Sequence, residues 1–491
     1  MTGRTSPRGG SGRDGAGRAA PRGATGHATG RAAAAVLALL SCRPTPPATP
    51  AAGAATGIEG EAAPAPRRVA SPAEPPRMEE PPGKTARPKG PAPGPAAEAA
   101  ATVEPFDLAP MLAALGRRFP DVLADPHEAR FQLVITCLDE RGPAPSIRTA
   151  RYRAGAELVY PASAIKLFVT AAALAMVSSE RAAHPDLGWD SPIAACDDAG
   201  RCRPIEDPSN RLPPHAKVAT VGHLVRRVHL VSDNVAYNLL YDLVGHEALH
   251  RYAWDRGLGS LRVHHRMFSW APPRVQRTSP GFRVGVPPDA LHLPKRTSAL
   301  DPPPLPFETT TVGRAHIDPE TKRRVAAPMD FSHKNYASLV DHHRLLLSIV
   351  RPDLRAVPAL DLVETGIDED LRARLVAAMT EDPNASPDPA YPPPHRGAAA
   401  FKPMLPGIAR RLPGAPVVYT NKAGRAYGFH VENAVVRHEA RTAAVTVSIY
   451  GNRDGVLNDD RYDYDRRTRP FLAAVGEAVA DLCLASPPSA R

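Results

Sequence analysis

Between residues 43 and 103 the chain carries 15 prolines in 61 positions, and Ala, Glu and Arg fill most of the rest. Proline offers no backbone N–H to a helix or ladder, so a stretch this dense is extended and reads as a spacer. Whatever packs must therefore begin near Val103. Residues 1–31 cannot supply a second core. They are rich in Gly, Arg and Ala, and hold six Arg against one acid, Asp14, with no aromatic residue. Such a segment stays unfolded on its own. Half of the formal +10 charge thus belongs to a tail. With aromatics at 5% and no basic strip interleaved with them, the charge is no sign of nucleic-acid binding. No apolar run reaches about 18 residues, the length a spanning helix needs.

Ala32 to Leu40 is a short apolar run after the basic tail, and Ser41-Cys42 follows it. A basic region, an apolar stretch and a small residue before Cys make an export signal. Leu39-Leu40-Ser41-Cys42 resembles the lipobox of bacterial lipoproteins. The resemblance implies lipidation at Cys42, processing of residues 1–42, and a periplasmic or cell-envelope location on a lipid anchor. A proline-rich spacer behind such an anchor is a consistent design. The competing reading is an Ala-rich piece of tail with a stray Cys.

The folded part is expected over residues 104–487. Phe106 to Asp125 has Leu108, Met111, Leu112, Leu115, Phe119 and Leu123 at helical spacing. Phe131 to Asp139 and Glu157 to Tyr160 read as strands, and Ala164 to Val177 as a strongly apolar helix. More helices follow to about Gly257, then a long irregular insert rich in Pro, Arg and His at 258–328. Helices are expected over 336–350 and 368–379, strands over 417–424, 428–438 and 442–450, and a closing amphipathic helix over 469–485. Strands at both ends with helices between predict an α+β domain. Its antiparallel sheet is built from both chain ends and flanked by helices, with an all-α lobe inserted.

Beyond Cys42 four cysteines remain, an even number that can pair in an exported protein. Cys196 and Cys202 flank Gly200 and can staple a surface loop. Cys137 and Cys483 can meet if the last helix packs on the sheet. The alternative is four inert thiols.

The sharpest local signal is Tyr160-Pro161-Ala162-Ser163-Ala164-Ile165-Lys166. Pro161 sits where a helix begins, which places Ser163 at its N-terminus and Lys166 one turn on, on the same face. A serine hydroxyl needs an adjacent base, and a lysine serves once burial lowers its proton affinity. Ser232-Asp233-Asn234 lies downstream at the start of a helix, and Lys422-Ala423-Gly424 lies in a late strand-like run. Ser-x-x-Lys, then Ser-Asp-Asn, then Lys-x-Gly, in this order, resembles the motif set of class A β-lactamases and penicillin-binding proteins over about residues 106–485.

The resemblance implies an acylated nucleophile at Ser163, with Lys166 as its base and Ser232 as proton relay to the leaving nitrogen. It implies substrate binding by Asn234 and Lys422, with Gly424 completing the third motif. The backbone N–H groups of Ser163 and Arg425 would form the oxyanion hole. The partner would be a small-molecule or cell-wall peptide substrate, and no organic cofactor is implied. Two departures stand out. Ala423 occupies the position where the family has Thr, so a hydroxyl for the substrate carboxylate is missing. No Glu-x-x-Leu-Asn stretch, whose Glu activates the deacylating water, occurs in residues 235–335. Acylation is therefore expected, and rapid deacylation is not. A peptidoglycan D,D-peptidase, an esterase, or a catalytically weak cell-wall-binding protein remain open alternatives.

His246-Glu247-Ala248-Leu249-His250 matches the zincin pattern and points to a different chemistry, a zinc metallopeptidase. Against it, Gly245 puts the pair in the first turn of a new helix, and a third ligand is lacking at the usual spacing. No metal site is therefore expected. Asp454, Asp459, Asp460, Asp463 and Asp465 form an acidic loop whose spacing does not match an EF-hand, with Tyr462 and Tyr464 as candidate lining of a substrate entrance. His264-His265 and His342-His343 read as surface or satisfied residues, and Lys322-Arg323-Arg324 as a solvated face.

Overall fold

The computed structural model describes residues 102–142, 144–206, 218–391, 400–452 and 454–485. The basic tail, the candidate signal with Cys42 and the proline-rich spacer up to residue 101 lie outside them. Seven strands build the main sheet: β1 (Thr102–Pro105), β2 (Gln132–Asp139), β3 (Ser146–Tyr152), β4 (Val418–Asn421), β5 (Gly424–Ala426), β6 (Phe429–His438) and β7 (Arg441–Tyr450). The order is β1-β3-β2-β7-β6-β4, and β5 also pairs with β6. The centre is antiparallel and comes from both chain ends, with β7 between β2 and β6. At one edge β1 runs parallel to β3. Pro105 is tolerated there because an edge strand need not donate on its outer side. The last residues of the expected spacer, Thr102 and Val103, thus already belong to the sheet.

One face of the sheet packs against Ala109–Arg118 and the closing helix Arg469–Val479, around Phe131, Leu133, Val445, Phe471 and Val475. The other face and the inserted helices share a second core around Phe168, Leu174, Val225, Tyr237, Leu240 and Leu345. The helical stretch Ala162–Glu180 is apolar and long enough to cross a membrane, yet 78% of it is buried inside the protein, so it is a core helix. Counting unbroken apolar runs misses it, because Ser163 and Lys166 interrupt the pattern.

Two expectations need correction. Glu157–Tyr160 is extended but pairs with no strand; Ser146–Tyr152 is the strand instead. The carbonyls of Glu157 and Leu158 are satisfied by Gln132 Nε2 and Arg130 Nη1, both at 2.8 Å. Side chains thus replace the ladder, while Leu158, Val159 and Tyr160 fill the core next to the turn that bears Ser163. The insert at 258–328 also holds more structure than expected. Gly281–Val284 pairs with Ile193–Cys196, and Ala315–Ile317 pairs with Val456–Leu457. These strands are two to four residues long, too short to show a period in sequence.

Candidate functional site

Ser163 lies in a single 3-10 turn, Ala162–Ile165, that runs straight into the α-helix Lys166–Glu180. Pro161 caps the turn with φ −74°, the value proline imposes. Ala162 takes φ +47° just before Ser163, a left-handed conformation that costs an alanine about 1–3 kcal/mol. Surrounding packing pays for it: the turn is clamped by β5. A Cβ built on Gly424 would stand 2.0 Å from Pro161 O and 2.9 Å from Ser163 N. Only glycine lets the edge strand approach the Ser163 backbone this closely. The clamp brings the backbone of Gly424-Arg425 alongside the Ser163 N–H.

Ser232 is likewise left-handed, with φ +58°. Its neighbour Asp233 holds it there. Asp233 caps the helix Asn234–Val244 by accepting from Ala236 N at 2.9 Å, and pairs with the buried Arg227 at 2.6 Å. The turn aims Ser232 Oγ at two amines. Lys422 Nζ lies 3.0 Å from it and Lys166 Nζ 3.3 Å. Lys166 Nζ also donates to Ser232 O and Asn234 Oδ1, each at 2.6 Å. The motif residues Lys166, Ser232, Asn234 and Lys422 therefore converge, from two helix starts and the sheet edge. The Ser163 hydroxyl is half-buried, and Gly424 and Arg425 flank its turn.

Burial governs the charges. Lys166 is fully buried, and desolvation, helped by the nearby Lys422 charge, pushes its proton affinity well below that of an ordinary lysine. Desolvation takes Lys422 down to about 7, opposed by the Glu432 carboxylate. His229, one turn before Ser232, is buried and held neutral, by desolvation first and then by Lys422, Lys166 and Lys402. Glu432 and Lys402 escaped the sequence reading. The signal was there: Glu432 is the lone carboxylate of Phe429–Val436, and it is fully buried on β6.

The rival motifs come apart in three dimensions. His250 is satisfied within its own neighbourhood: its Nδ1 sits 2.7 Å from His246 O, and its Nε2 accepts from Val263 N at 3.0 Å. Glu247 faces solvent beside Arg251. Among the described residues no group of three or more His, Cys, Asp or Glu side chains gathers at a metal-binding position, and the acidic loop is no exception. Its Tyr464 accepts from Gly428 N at 2.9 Å and lies 5.0 Å under the Arg425 guanidinium, beside the strand that clamps the nucleophile. Tyr462 accepts from Asn458 N at 2.7 Å. His342 and His343 are buried rather than superficial; His343 bonds Thr136 and Thr446. His265 is bonded to Arg266 O, and His264 stacks edge-on with His333. Lys322, Arg323 and Arg324 are exposed, and Lys322 and Arg324 line a charged groove of about 700 Å³ that contains none of the motif residues. The structure joins Cys137 to Cys483, tying the closing helical segment to β2, and Cys196 to Cys202 across a hairpin.

The carboxylates of the helices and insert after Ser232 are committed elsewhere. Asp242 is buried against Arg266, and Asp318 accepts from Thr321. Asp330 accepts from Ser332, and Asp301 pairs with Arg277. Glu247, Asp255, Asp289, Glu308 and Glu320 are exposed.

A model of the Beta-lactamase enzyme family matches residues 128–299, a stretch that holds the Ser163 and Ser232 motifs and ends before Lys422. A search among curated proteins gives no match. Among solved structures the chain is similar to a beta-lactamase from Desulfarculus baarsii DSM 2075, at 16% identity, over 78% of this chain and 100% of that one, with a TM-score of 0.42. It is similar to a class A beta-lactamase from Bacteroides cellulosilyticus DSM 14838, at 12% identity, over 75% and 96%, with a TM-score of 0.40. It is also similar to the beta-lactamase from Streptomyces albus G, at 15% identity, over 76% and 98%, with a TM-score of 0.41. The family match agrees with the resemblance carried by the motifs, and the observed sheet and helices agree with the expected α+β class.

Proposed function

We propose that the protein is a serine hydrolase of class A β-lactamase type that forms an acyl-enzyme on Ser163. The observation that carries this reading is the meeting of Lys166, Lys422 and Asn234 around Ser232, at the end of the turn that bears Ser163. A neutral amine has two hydrogens. In Lys166 the two 2.6 Å contacts, to Ser232 O and Asn234 Oδ1, take both and leave the lone pair on the side of the Ser232 hydroxyl, 3.3 Å away. Lys166 removes the proton of Ser163 Oγ as it attacks an amide carbonyl. The oxyanion is received by the N–H groups of Ser163 and Arg425, held together by the Gly424 clamp. Ser232 Oγ passes a proton to the leaving nitrogen and regains one from the amine beside it. Lys422 supplies positive charge for a substrate carboxylate, without the hydroxyl that Ala423 lacks.

Deacylation is slow in this reading. It needs a base for water, and the carboxylates of residues 235–335 are paired, hydrogen-bonded or exposed. That favours a long-lived acyl-enzyme, closer to a penicillin-binding protein or D,D-peptidase than to a fast β-lactamase. The cell envelope as location, on a lipid anchor at Cys42, is part of the proposal. Its support is the Leu39–Cys42 motif behind a basic tail and the two disulfides, which suit an oxidising compartment.

Intact-mass measurement over time with a penicillin tests this. The expected result is a stable mass gain of one penicillin on Ser163, absent in Ser163→Ala. No mass gain in folded protein would sink the hydrolase reading. Gain and loss within seconds would sink the slow-deacylation part.

A further inference from the structure

The loop between Leu258 and Tyr336 places an ammonium beside the strand edge that clamps Ser163. Lys334 Nζ lies 5.7 Å from the Trp270 ring and 5.3 Å from the Tyr427 ring. Tyr427 stands two residues beyond Arg425, where β5 turns into β6, and meets Tyr160 edge-on at 5.6 Å, just ahead of the Ser163 turn. One ring comes from the loop and one from the sheet edge, and together they fix the cation.

That cation has no anion. Among the described residues no carboxylate forms an ion pair with Lys334. Asp330, the carboxylate whose charge acts on it, instead accepts from Ser332 N at 2.8 Å, Ser332 Oγ at 2.6 Å and Thr310 Oγ1 at 3.2 Å. A second group nearby also lacks a partner. Asn335 pins the two segments together, accepting from His264 N and His265 N and donating to His265 O at 2.9 Å. His265 Nδ1 donates to Arg266 O at 2.8 Å, which leaves Nε2 an acceptor, buried and unpartnered among the described residues. Burial, and then the Lys334 charge, hold this ring neutral. Buried polar groups are nearly always satisfied. An ammonium without an anion and a ring nitrogen without a donor, on segments pinned to each other, mark a place for a ligand.

The surface around them is apolar and fixed in advance. Phe268 and Trp270 are 82% and 50% exposed, and Val235, next to Asn234, is 46% exposed. Asn238 grips both backbone groups of Met267, at 2.9 and 3.1 Å, and the buried Gln276 side chain ties back Ser269 and Ala271. The loop tip thus stands between the helix that begins at Asn234 and the strand that ends at Ala426 without further ordering on binding.

The proposed chemistry gives the substrate a direction. The leaving nitrogen goes to Ser232, which meets Lys422 just ahead of β5. The acyl side chain leaves the carbonyl on the other side, past Arg425 toward Tyr427 and Lys334.

We propose that Lys334, held by Trp270 and Tyr427, binds a carboxylate on the acyl side chain, so that the preferred substrates are amides whose acyl group carries an apolar body and a second carboxylate. The acylation step rests on the hydrolase reading; the binding does not need it. Carbenicillin and benzylpenicillin test this, because they differ by one carboxylate on the benzyl carbon of the acyl side chain. The full chain should acylate at least about tenfold faster with carbenicillin. In Lys334→Met that preference should vanish while benzylpenicillin changes by less than about twofold, and Lys334→Arg should keep it. Calorimetric binding to Ser163→Ala should show the same order without any chemistry. Equal affinities there, no binding of either compound, or a preference that survives Lys334→Met overturns the proposal. A wild-type protein that never acylates sinks the hydrolase reading instead, while the Ser163→Ala affinities still decide this one.

Discussion

The turn that carries Ser163 and the loop that departs at Leu258 and returns at Tyr336 sit side by side, and they are held in opposite ways. The turn is fixed by backbone packing: β5 presses on it through Gly424, with strained φ values at Ala162 and Ser232. The loop is fixed at its neck by polar pairs. Arg262 and Tyr336 exchange backbone bonds of 2.8 and 2.7 Å. Asn335 accepts from His264 N at 2.8 Å and His265 N at 3.1 Å, while Arg266 is buried against Asp242. Further along, the loop packs against the turn through apolar side chains: Leu305, Val312 and Phe331 share a core with Tyr160, Ala162 and Ala164. In the first region the amines are stripped of water. In the second the charged groups brace the loop against its surroundings, with Arg266 on Asp242 and Lys295 on Asp198.

The largest effect should come from the base. Lys166→Met should slow acylation by about 10²–10⁴-fold at pH 7, read by the intact-mass time course, with the fold retained by circular dichroism. A loss below tenfold would mean another group takes the proton. Next, Gly424→Ala should force the sheet edge away from Ser163 N and cost about 10²–10³-fold in acylation. Acylation that survives would show that the two N–H groups do not act together.

The loop should answer differently. Asp242→Asn leaves Arg266 buried without its anion and should cost about 3–5 kcal/mol of stability by denaturant titration. Acylation of the molecules still folded should change little. An equal loss in both readouts would break the separation between loop and turn.

The buried amines and carboxylate also give a pH dependence. Glu432 sits at about 8 in the fold against about 4.5 unfolded, so the native state binds the extra proton and stability falls from pH 4.5 to 8. Lys422 at about 7 and Lys402 at about 8, against 10.5 unfolded, do the reverse, and stability rises from there to 10.5. Their sum gives a minimum in Tm near pH 7–8 that flattens in Lys402→Met/Glu432→Gln. A minimum that persists in the double variant would place its source elsewhere.

Much of this was legible before any coordinates. Helical spacing marked the helices, and alternation marked β2, β6 and β7. Ser146–Tyr152 was missed because Arg148 and Arg151 dilute its pattern on a strand near the sheet's margin. Glu157–Tyr160 was misread because its burial resembles a strand while its carbonyls bond to side chains. The motif residues around Ser163 were legible because each occupies a helix start or strand edge that local sequence announces. Lys402 and Glu432 were not, since a buried charge has meaning only when its partner is known.

By itself the sequence determined which residue types nucleophilic chemistry has available and which elements bear them, because capping, periodicity and glycine placement act over a few residues. The tertiary structure alone decided how charge is distributed among Lys166, Lys422, Lys402 and Glu432. Desolvation and Coulomb forces depend on distances through the core, and those distances join segments up to 266 residues apart in the chain, Lys166 and Glu432 among them.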